Sequence, residues 1–466
     1  MGQGVAVDGG FIINTNPATG EVVSKVKCST AEEIDKVIKA ANEAQETWAL
    51  KSPSERIAFL KKGLKEVDRQ ADKLVEWMIL EMGKPIAEAK EELEGTVDKD
   101  EFLDILEKAL EPQVYGSSTI IRDPFGVVAV LSPWNFPVDE ILLLALPALA
   151  SGNTVIIKPS EVVPETGACL VKALQTALPP NVIQVVQGDG VVGAHIVGSP
   201  DIHMVAMTGS SATGRKIIEM AAPQMKRVVL EMGGKDPMIV FDDADMDKAA
   251  HDAVKYSLSN TGQVCCSIER IYVAESIYDE FQTLTTKYAA EYKVGNGMDP
   301  ANTVGPMVSQ GQRNIVREQV KDAVAKGAKL LHQSEVPEHV EGSSFHPVTV
   351  LADATESMDV FTKETFGPVV AMAKFDGSEA EAIRLANKTE YGLGSSIYTK
   401  DLEKARRVAR RIGAGQVGIN CYAIEAMDIA CPWVGHKHSG YGFHSGVDGF
   451  HQFSIPKSIV MVDPSA

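Results

Sequence analysis

Behind Ser29 or Thr30, apolar residues recur at Ile34, Val37, Ile38 and Ala41, the spacing that lines one face of an α-helix. The pattern predicts a helical layer over most of residues 1–100. From Gly126 the periodicity changes to short apolar or β-branched runs, VVAVLS, NTVIIKPS, NVIQVVQG, HMVAMTGS and RVVLEMGG, separated by helical stretches. Runs of this kind, bounded by Gly and Pro, are strands buried on both faces, and their alternation with helices predicts a parallel, doubly wound sheet over about 126–232. A second α/β series follows, with PMIVF, RIYVA, Val348 to Leu351 and VVAMAKF as its strands. Val114 to Arg122 and Ser454 to Val462 are strand-like and lie outside both series, which predicts that they pair as an arm. No internal repeat or long flexible linker interrupts the pattern, so the domains are expected to pack together.

Composition narrows the function. A chain of 466 residues suggests two or three domains. With 63 acidic against 45 basic residues the net charge is −18, which argues against a nucleic-acid backbone or an anionic membrane as partner. The longest apolar stretch, Ile141 to Ala150, is broken by Pro147 and reaches about half the ~20 residues of a membrane span. The N-terminal MGQGVAVDGG has neither a basic nor an apolar signal region, and Ala6 stands where myristoylation wants Ser or Thr, so a cytoplasmic location is expected. Six cysteines are too sparse for a disulfide scaffold and lack zinc-site spacing, so no metal is expected and any functional cysteine is more plausibly a nucleophile.

Four motifs carry candidate chemistry. GDGVVG (Gly188, Gly190, Gly193) fits a dinucleotide fingerprint literally, but the next strand ends in Thr208, Gly209 and Ser210 rather than in an acid, which favours a plain strand-to-helix turn. TGSSATG (Thr208 to Gly214) sits where a strand gives way to a helix, and Ser210 either caps that helix or meets a phosphate. Cys265, in NTGQVCCSIER, suits a loop or helix start where backbone dipoles stabilise a thiolate; its bland alternative is a buried structural thiol. Glu231, in VLEMGGKDP, is a strand-end carboxylate before a Gly pair, either aimed into a cleft or an ordinary surface acid.

Taken in order, PWN (Pro133 to Asn135), KPSE (Lys158 to Glu161), GSSATG, LEMGG (Leu230 to Gly234), GQVC (Gly262 to Cys265) and ETFGPV (Glu364 to Val369) resemble the aldehyde dehydrogenase superfamily. The resemblance runs from NPATGE (Asn16 to Glu21) to KHSGYG (Lys437 to Gly442). It implies an α/β fold with a Rossmann-like cofactor domain (1–112 and 124–232), an α/β catalytic domain (233–445) and a β oligomerisation arm (113–123 and 446–466) in a homodimer or homotetramer. It also implies roles. Cys265 attacks the aldehyde, Asn135 with the Cys265 backbone N–H holds the oxyanion, and Glu231 activates the water that hydrolyses the thioester. Trp134, Lys158, Ser160, Glu161, Gly209, Ser210, Glu364 and Phe366 are the implied cofactor contacts. Lys158 and Glu161 meet the adenine ribose, Ser210 a phosphate and Glu364 the nicotinamide ribose. The Glu161 carboxylate repels a 2′-phosphate, so NAD is expected over NADP.

Departures from the family bear on protons and substrate. Members often pair a Lys ten residues after the PWN tryptophan with a Glu near the C-terminus; here these positions are Leu144 and His444, with His444 a candidate substitute. The implied substrate tunnel holds Phe136, Glu140, Leu143, Ser259 and Trp433. Succinate-semialdehyde members carry arginines where this chain has Leu143 and Ser259, and betaine- or aminoaldehyde members carry tryptophans there. Trp433 matches one aromatic of the latter group. Glu140 replaces an apolar tunnel residue and, with Asp139, either meets substrate or stabilises a helix start. The small-molecule aldehyde is therefore expected to be neutral or cationic. Three alternatives stand beside this reading: a succinate-semialdehyde, aminoaldehyde or betaine-aldehyde specificity, a CoA-acylating enzyme, and a non-catalytic structural use of the fold.

Overall fold

The computed structural model describes residues 6–97, 100–337 and 342–462; expectations that fall on 1–5, 98–99, 338–341 and 463–466 lie outside these. The described chain starts on strands, where the apolar pattern predicts helix. β1 (Ala6–Asp8), β2 (Phe11–Thr15) and β3 (Val22–Lys27) form an antiparallel sheet, because FIINT alternates and turns Ile12 and Asn14 inward. Five helices follow: α1 (Ala31–Ala49), α2 (Pro53–Asp68), α3 (Ala71–Met82), α4 (Ile86–Val97) and α5 (Asp100–Ala109). Thr30, not Ser29, caps α1. Glu33 N donates to Thr30 Oγ1 at 3.2 Å and Thr30 N to Glu33 Oε2 at 2.9 Å, closing a reciprocal box. The hairpin β4 (Gln113–Tyr115) and β5 (Ser118–Pro124) leads into the first large sheet.

That sheet carries β6 (Val127–Leu131), α6 (Asp139–Ala150), β7 (Thr154–Lys158), α7 (Pro164–Gln175), β8 (Ile183–Val185), α8 (Gly190–Gly198), β9 (Met204–Gly209), α9 (Ser211–Ala221) and β10 (Arg227–Met232). Its parallel strands lie in the order β10-β9-β6-β7-β8, so the winding reverses between β6 and β9. Alternate side chains supply opposite faces. Val128 and Val130 pack with α6 and α7, whereas Val127 and Ala129 pack with Ile34 and Ile38 of α1 and Ile217 of α9. A fully buried Val or Ile of this kind contributes roughly 1.5–3 kcal/mol.

The second sheet repeats this logic with β11 (Asp236–Val240), α10 (Met246–Leu258), β12 (Ile268–Ala274), α11 (Tyr278–Ala289), α12 (Gln310–Ala325), β13 (Lys329–Gln333), β14 (Thr349–Ala352), α13 (Asp359–Thr362), β15 (Val369–Phe375), α14 (Glu379–Asn387), β16 (Gly394–Tyr398), α15 (Leu402–Ala409) and β17 (Gln416–Ile419). The order is β13-β14-β15-β12-β11-β16-β17, parallel except for β13. Residues of α12, α14 and α15 cover one face and residues of α10 and α11 the other. The first sheet hands over to the second through Gly233–Lys235.

The C-terminal segment runs through α16 (Ala423–Ala426), β18 (Trp433–Val434), β19 (Gly440–Tyr441), β20 (Phe443–His444), α17 (Gly446–Phe450) and β21 (Ser454–Val460). Here the expected boundaries shift. β19 pairs antiparallel with β10, Gly440 opposite Glu231, so residues assigned to the catalytic domain cover the open edge of the first sheet. Phe450 stacks edge-on against Phe102 at 4.8 Å and is buried with Phe453 in the first core, so 446–453 belong there rather than to the arm. Large aromatic surface gains more from burial than from an exposed arm. The arm sheet itself is β21-β5-β4, with Ser454 opposite Pro124 and Val460 opposite Ser118.

Candidate active site

Two loops leave the first sheet at its point of reversal. Ser132 to Phe136 carries β6 into α6 on one face, and Gly209–Ser210 carries β9 into α9 on the other. Open parallel sheets take ligands in the crevice between such loops. Ser210 is the N-cap of α9, accepting from Thr213 N at 3.2 Å. GDGVVG instead follows the edge strand β8 and opens α8 under an Asp189 cap, away from the reversal. Lys158, at the end of β7, is buried, and burial lowers its proton affinity. Its Nζ lies 2.9 Å from Pro159 O and 3.4 Å from the half-buried Glu161 carboxylate, and Ser160 Oγ accepts from Val162 N at 3.3 Å.

Glu231, near the end of β10, is 3% exposed, not a surface acid. Both its oxygens are buried without a closed hydrogen bond, and burial, followed by the nearby Glu140 carboxylate, raises its proton affinity well above the usual range. The Cys265 thiol and Trp433 indole are close enough to favour its charged form. The Gly pair explains this closeness. A Cβ on Gly234 would stand 2.4 Å from the Cys265 carbonyl oxygen, and one on Gly233 would stand 2.1 Å from Glu364 Oε1. Glu364 accepts from Gly234 N at 3.1 Å, and burial raises it to about 8.

Cys265 follows a left-handed run, Asn260, Thr261 and Gly262 at φ 49, 60 and 69°. Such a run is costly for Asn and Thr and persists because its surroundings hold it. Asn260 N donates to Glu88, Thr261 Oγ1 accepts from Gly305 N at 3.1 Å, and Gln263 Oε1 accepts from Val308 N at 2.9 Å. Asn260 Nδ2 reaches Asn135 O at 3.0 Å while Asn135 Nδ2 reaches Gln263 O at 3.1 Å, so the buried Asn135 amide is tied to the cysteine loop. The expected dipole-stabilised thiolate is not what the loop presents. Hydrogen bonding to Cys266, then burial and the Glu231 charge, hold the Cys265 thiol well above the ordinary range, so the resting group keeps its proton. Cys266 is closed off: its Sγ lies 2.9 Å from the Tyr422 hydroxyl.

The five tunnel residues separate. Phe136 and Trp433 share an apolar cluster with Cys265, Val264 and Leu393. Leu143 instead packs against the first core, and the Ser259 hydroxyl turns back to Lys255 O of α10 at 2.9 Å. Glu140, in the first turn of α6, accepts from Thr208 Oγ1 at 2.8 Å. Leu144 is fully buried core. His444 is buried and pushed down to about 4 by desolvation, with Nδ1 at Ser445 Oγ and Nε2 without a partner.

Several positioning residues escaped the sequence reading. Lys235 pairs with Glu269 at 2.6 Å, and Glu269 accepts from Thr365 N and Phe366 N at 2.8 Å each. This holds Phe366 at φ 51°, its ring 5.5 Å from Trp134. Lys84 and Glu92 form a second buried pair; the ammonium sits 3.9 Å over the Phe136 ring and Glu92 accepts from Val138 N and Asp139 N. Glu269 and Arg270 inside the apolar run IERIYVA were the available signal, since buried charges need partners.

Comparison with known proteins extends this picture along the chain. The aldehyde dehydrogenase family profile matches residues 6–459. Glutarate-semialdehyde dehydrogenase of Pseudomonas putida is 36% identical over 97% of this chain and 95% of its own length. Betaine aldehyde dehydrogenase of Sinorhizobium fredii is 35% identical over 97% of this chain and 94% of its own. The structure of an aldehyde dehydrogenase C mutant from Pseudomonas syringae, complexed with NAD+ and octanal, superposes with a TM-score of 0.91 at 33% identity, covering 97% and 94% of the two chains. The likeness thus extends over nearly all of both sheets and through the crevice between them, and the chain belongs to the aldehyde dehydrogenase family, as an NAD(P)-dependent enzyme that oxidises an aldehyde.

Proposed function

We propose that the crevice oxidises a neutral or cationic aldehyde, with NAD preferred to NADP, through a thioester on Cys265. The observation that carries this reading is the meeting of the Cys265 thiol with an unpartnered, buried Glu231 carboxylate beside the Asn135 amide. The Cys265 thiol gives its proton to solvent, the thiolate adds to the aldehyde carbon, and Asn135 Nδ2 with the Cys265 N–H steadies the oxyanion. Glu231 then removes a proton from the water that hydrolyses the thioester, releasing the acid. The residues fit a dinucleotide: Lys158, Ser160 and Glu161 at the adenosine end, Gly209 and Ser210 at the phosphates, Trp134, Glu364 and Phe366 at the nicotinamide. When bound, that nicotinamide supplies the hydride acceptor.

The relatives named above act on an acidic and on a cationic aldehyde, so the choice of substrate rests on the tunnel. A substrate carboxylate meets no arginine at Leu143 or Ser259 and faces a like charge at Glu140, a desolvation cost of several kcal/mol. Trp433 offers a cation about 0.5–2 kcal/mol. A screen of NADH and NADPH formation over acidic, neutral and cationic aldehydes tests this. kcat/KM for a neutral aldehyde is expected to exceed that for succinate semialdehyde at least tenfold; efficient oxidation of succinate semialdehyde overturns the reading. The exposed Val114, Tyr115, Ile455, Ile459 and Val460 of the arm sheet support a homodimer or homotetramer, and six unpaired cysteines suit a reducing compartment such as the cytoplasm.

A further inference from the structure

Hydrolysis leaves a proton on Glu231, a group buried on every side, and the enzyme turns over only if that proton leaves. The described surroundings offer one short route. Thr208 and Glu231 are register partners on the adjacent parallel strands β9 and β10, which sets their side chains on the same face about 4.8 Å apart. The Thr208 hydroxyl donates to Glu140 Oε2 at 2.8 Å across 68 residues of sequence. With its own proton given to Glu140, the Thr208 oxygen keeps lone pairs that can accept from Glu231 once that carboxyl is protonated and turns toward it, which completes a path for proton exchange. We propose that Glu140 receives, through the Thr208 hydroxyl, the proton that Glu231 takes from the attacking water, and passes it to solvent. The inference rests on the thioester reading above.

The step balances. The water O–H bond breaks as its oxygen bonds the thioester carbon, and the proton goes to the Glu231 carboxylate. Collapse of the adduct breaks the carbon–sulfur bond and leaves the acid product and the Cys265 thiolate, which takes a proton from solvent to return to the resting thiol. The Glu231 carboxyl proton moves to the Thr208 oxygen as the Thr208 proton moves to the Glu140 carboxylate. Around the two carboxylates stand Cys265, Cys266, Asp139, the neutral His444 and, at the start of α6, the Lys84–Glu92 pair. His444 is a poor alternative acceptor, because burial holds it neutral down to about pH 4. Glu140 also bears on Glu231 at rest: the second negative charge raises the proton affinity of the base.

Glu140→Gln keeps the shape of the site and removes both the acceptor and the charge. Expected is an NADH burst within about twofold of wild type, followed by a steady-state rate at least tenfold lower at pH 7. The acid limb of the steady-state profile moves to lower pH, since Glu231 loses a like-charged neighbour. Added acetate restores turnover in proportion to its concentration, and Glu140→Asp retains most of it. A Glu140→Gln enzyme with the wild-type steady-state rate and pH profile overturns the proposal. So does a loss that suppresses burst and steady state equally and that acetate does not repair, because that is the mark of a structural role. NADH formation that survives Cys265→Ala instead overturns the thioester reading on which the proposal rests.

Discussion

Glu81 and Glu231 are both buried, at 1% and 3% exposure, yet they occupy opposite kinds of environment. Glu81, on α3, accepts from Asn14 Nδ2 at 2.7 Å, Glu165 N at 2.8 Å, Thr166 N at 2.9 Å and Thr166 Oγ1 at 2.5 Å, so it clamps β2 to the start of α7. Glu231 has no closed hydrogen bond on either oxygen. The same contrast separates the tandem thiols, since Cys266 is closed by Tyr422 while Cys265 faces Glu231. A saturated polar group stabilises the fold; an open one stores the reactivity of the site.

The contrast breaks most sharply at the thiols. Cys265→Ala is expected to lower turnover at least ~1,000-fold while NAD binding, followed by quenching of tryptophan fluorescence, persists. Cys266→Ala keeps turnover within about threefold. Labelling of Cys266 alone by an aldehyde-site alkylating reagent reverses the assignment.

The carboxylates give the next largest effect. Glu231→Gln is expected to slow steady-state turnover ~100-fold or more, with the first burst of NADH retained and little change in melting temperature. The same substitution at Glu81 turns an amide N–H₂ toward N–H donors. It costs about 1–3 kcal/mol of stability, with kcat nearly unchanged. Calorimetry and burst kinetics on the two variants decide the contrast, and it fails if Glu81→Gln leaves the melting temperature unchanged.

Glu161 lies between these extremes, hydrogen-bonded to Lys158 but 25% exposed. Its effect is the smallest. NAD is expected to show a lower KM than NADP, and Glu161→Ser narrows that gap by severalfold through loss of repulsion at the 2′ position. Equal use of both cofactors by the wild type removes the basis for this prediction.

The site residues were legible in unequal degree. Asn135, Cys265 and Glu231 stand in short motifs whose residue types state their chemistry. Phe136 and Trp433, expected in the tunnel, share one cluster with Cys265, whereas Leu143 and Ser259, expected there from position alone, turn toward the core and α10. The Thr208–Glu140 bond, the Glu269 hold on Phe366 and the Glu88 hold on Asn260 had no sequence signal of comparable strength.

The sequence by itself determined the alternation of buried strands with helices and the order of motifs that marks the family. These depend on local periodicity and adjacent residues, both of which the chain states directly. Only the tertiary structure decided that β19 closes the first sheet, that Phe450 and Phe453 belong to its core, and that the Cys265 thiol rests protonated between another thiol and two carboxylates. Each of these outcomes depends on which groups burial brings together from distant parts of the chain. Proton affinity in particular follows the charges and the water a group can reach, and neither is encoded beside the residue itself.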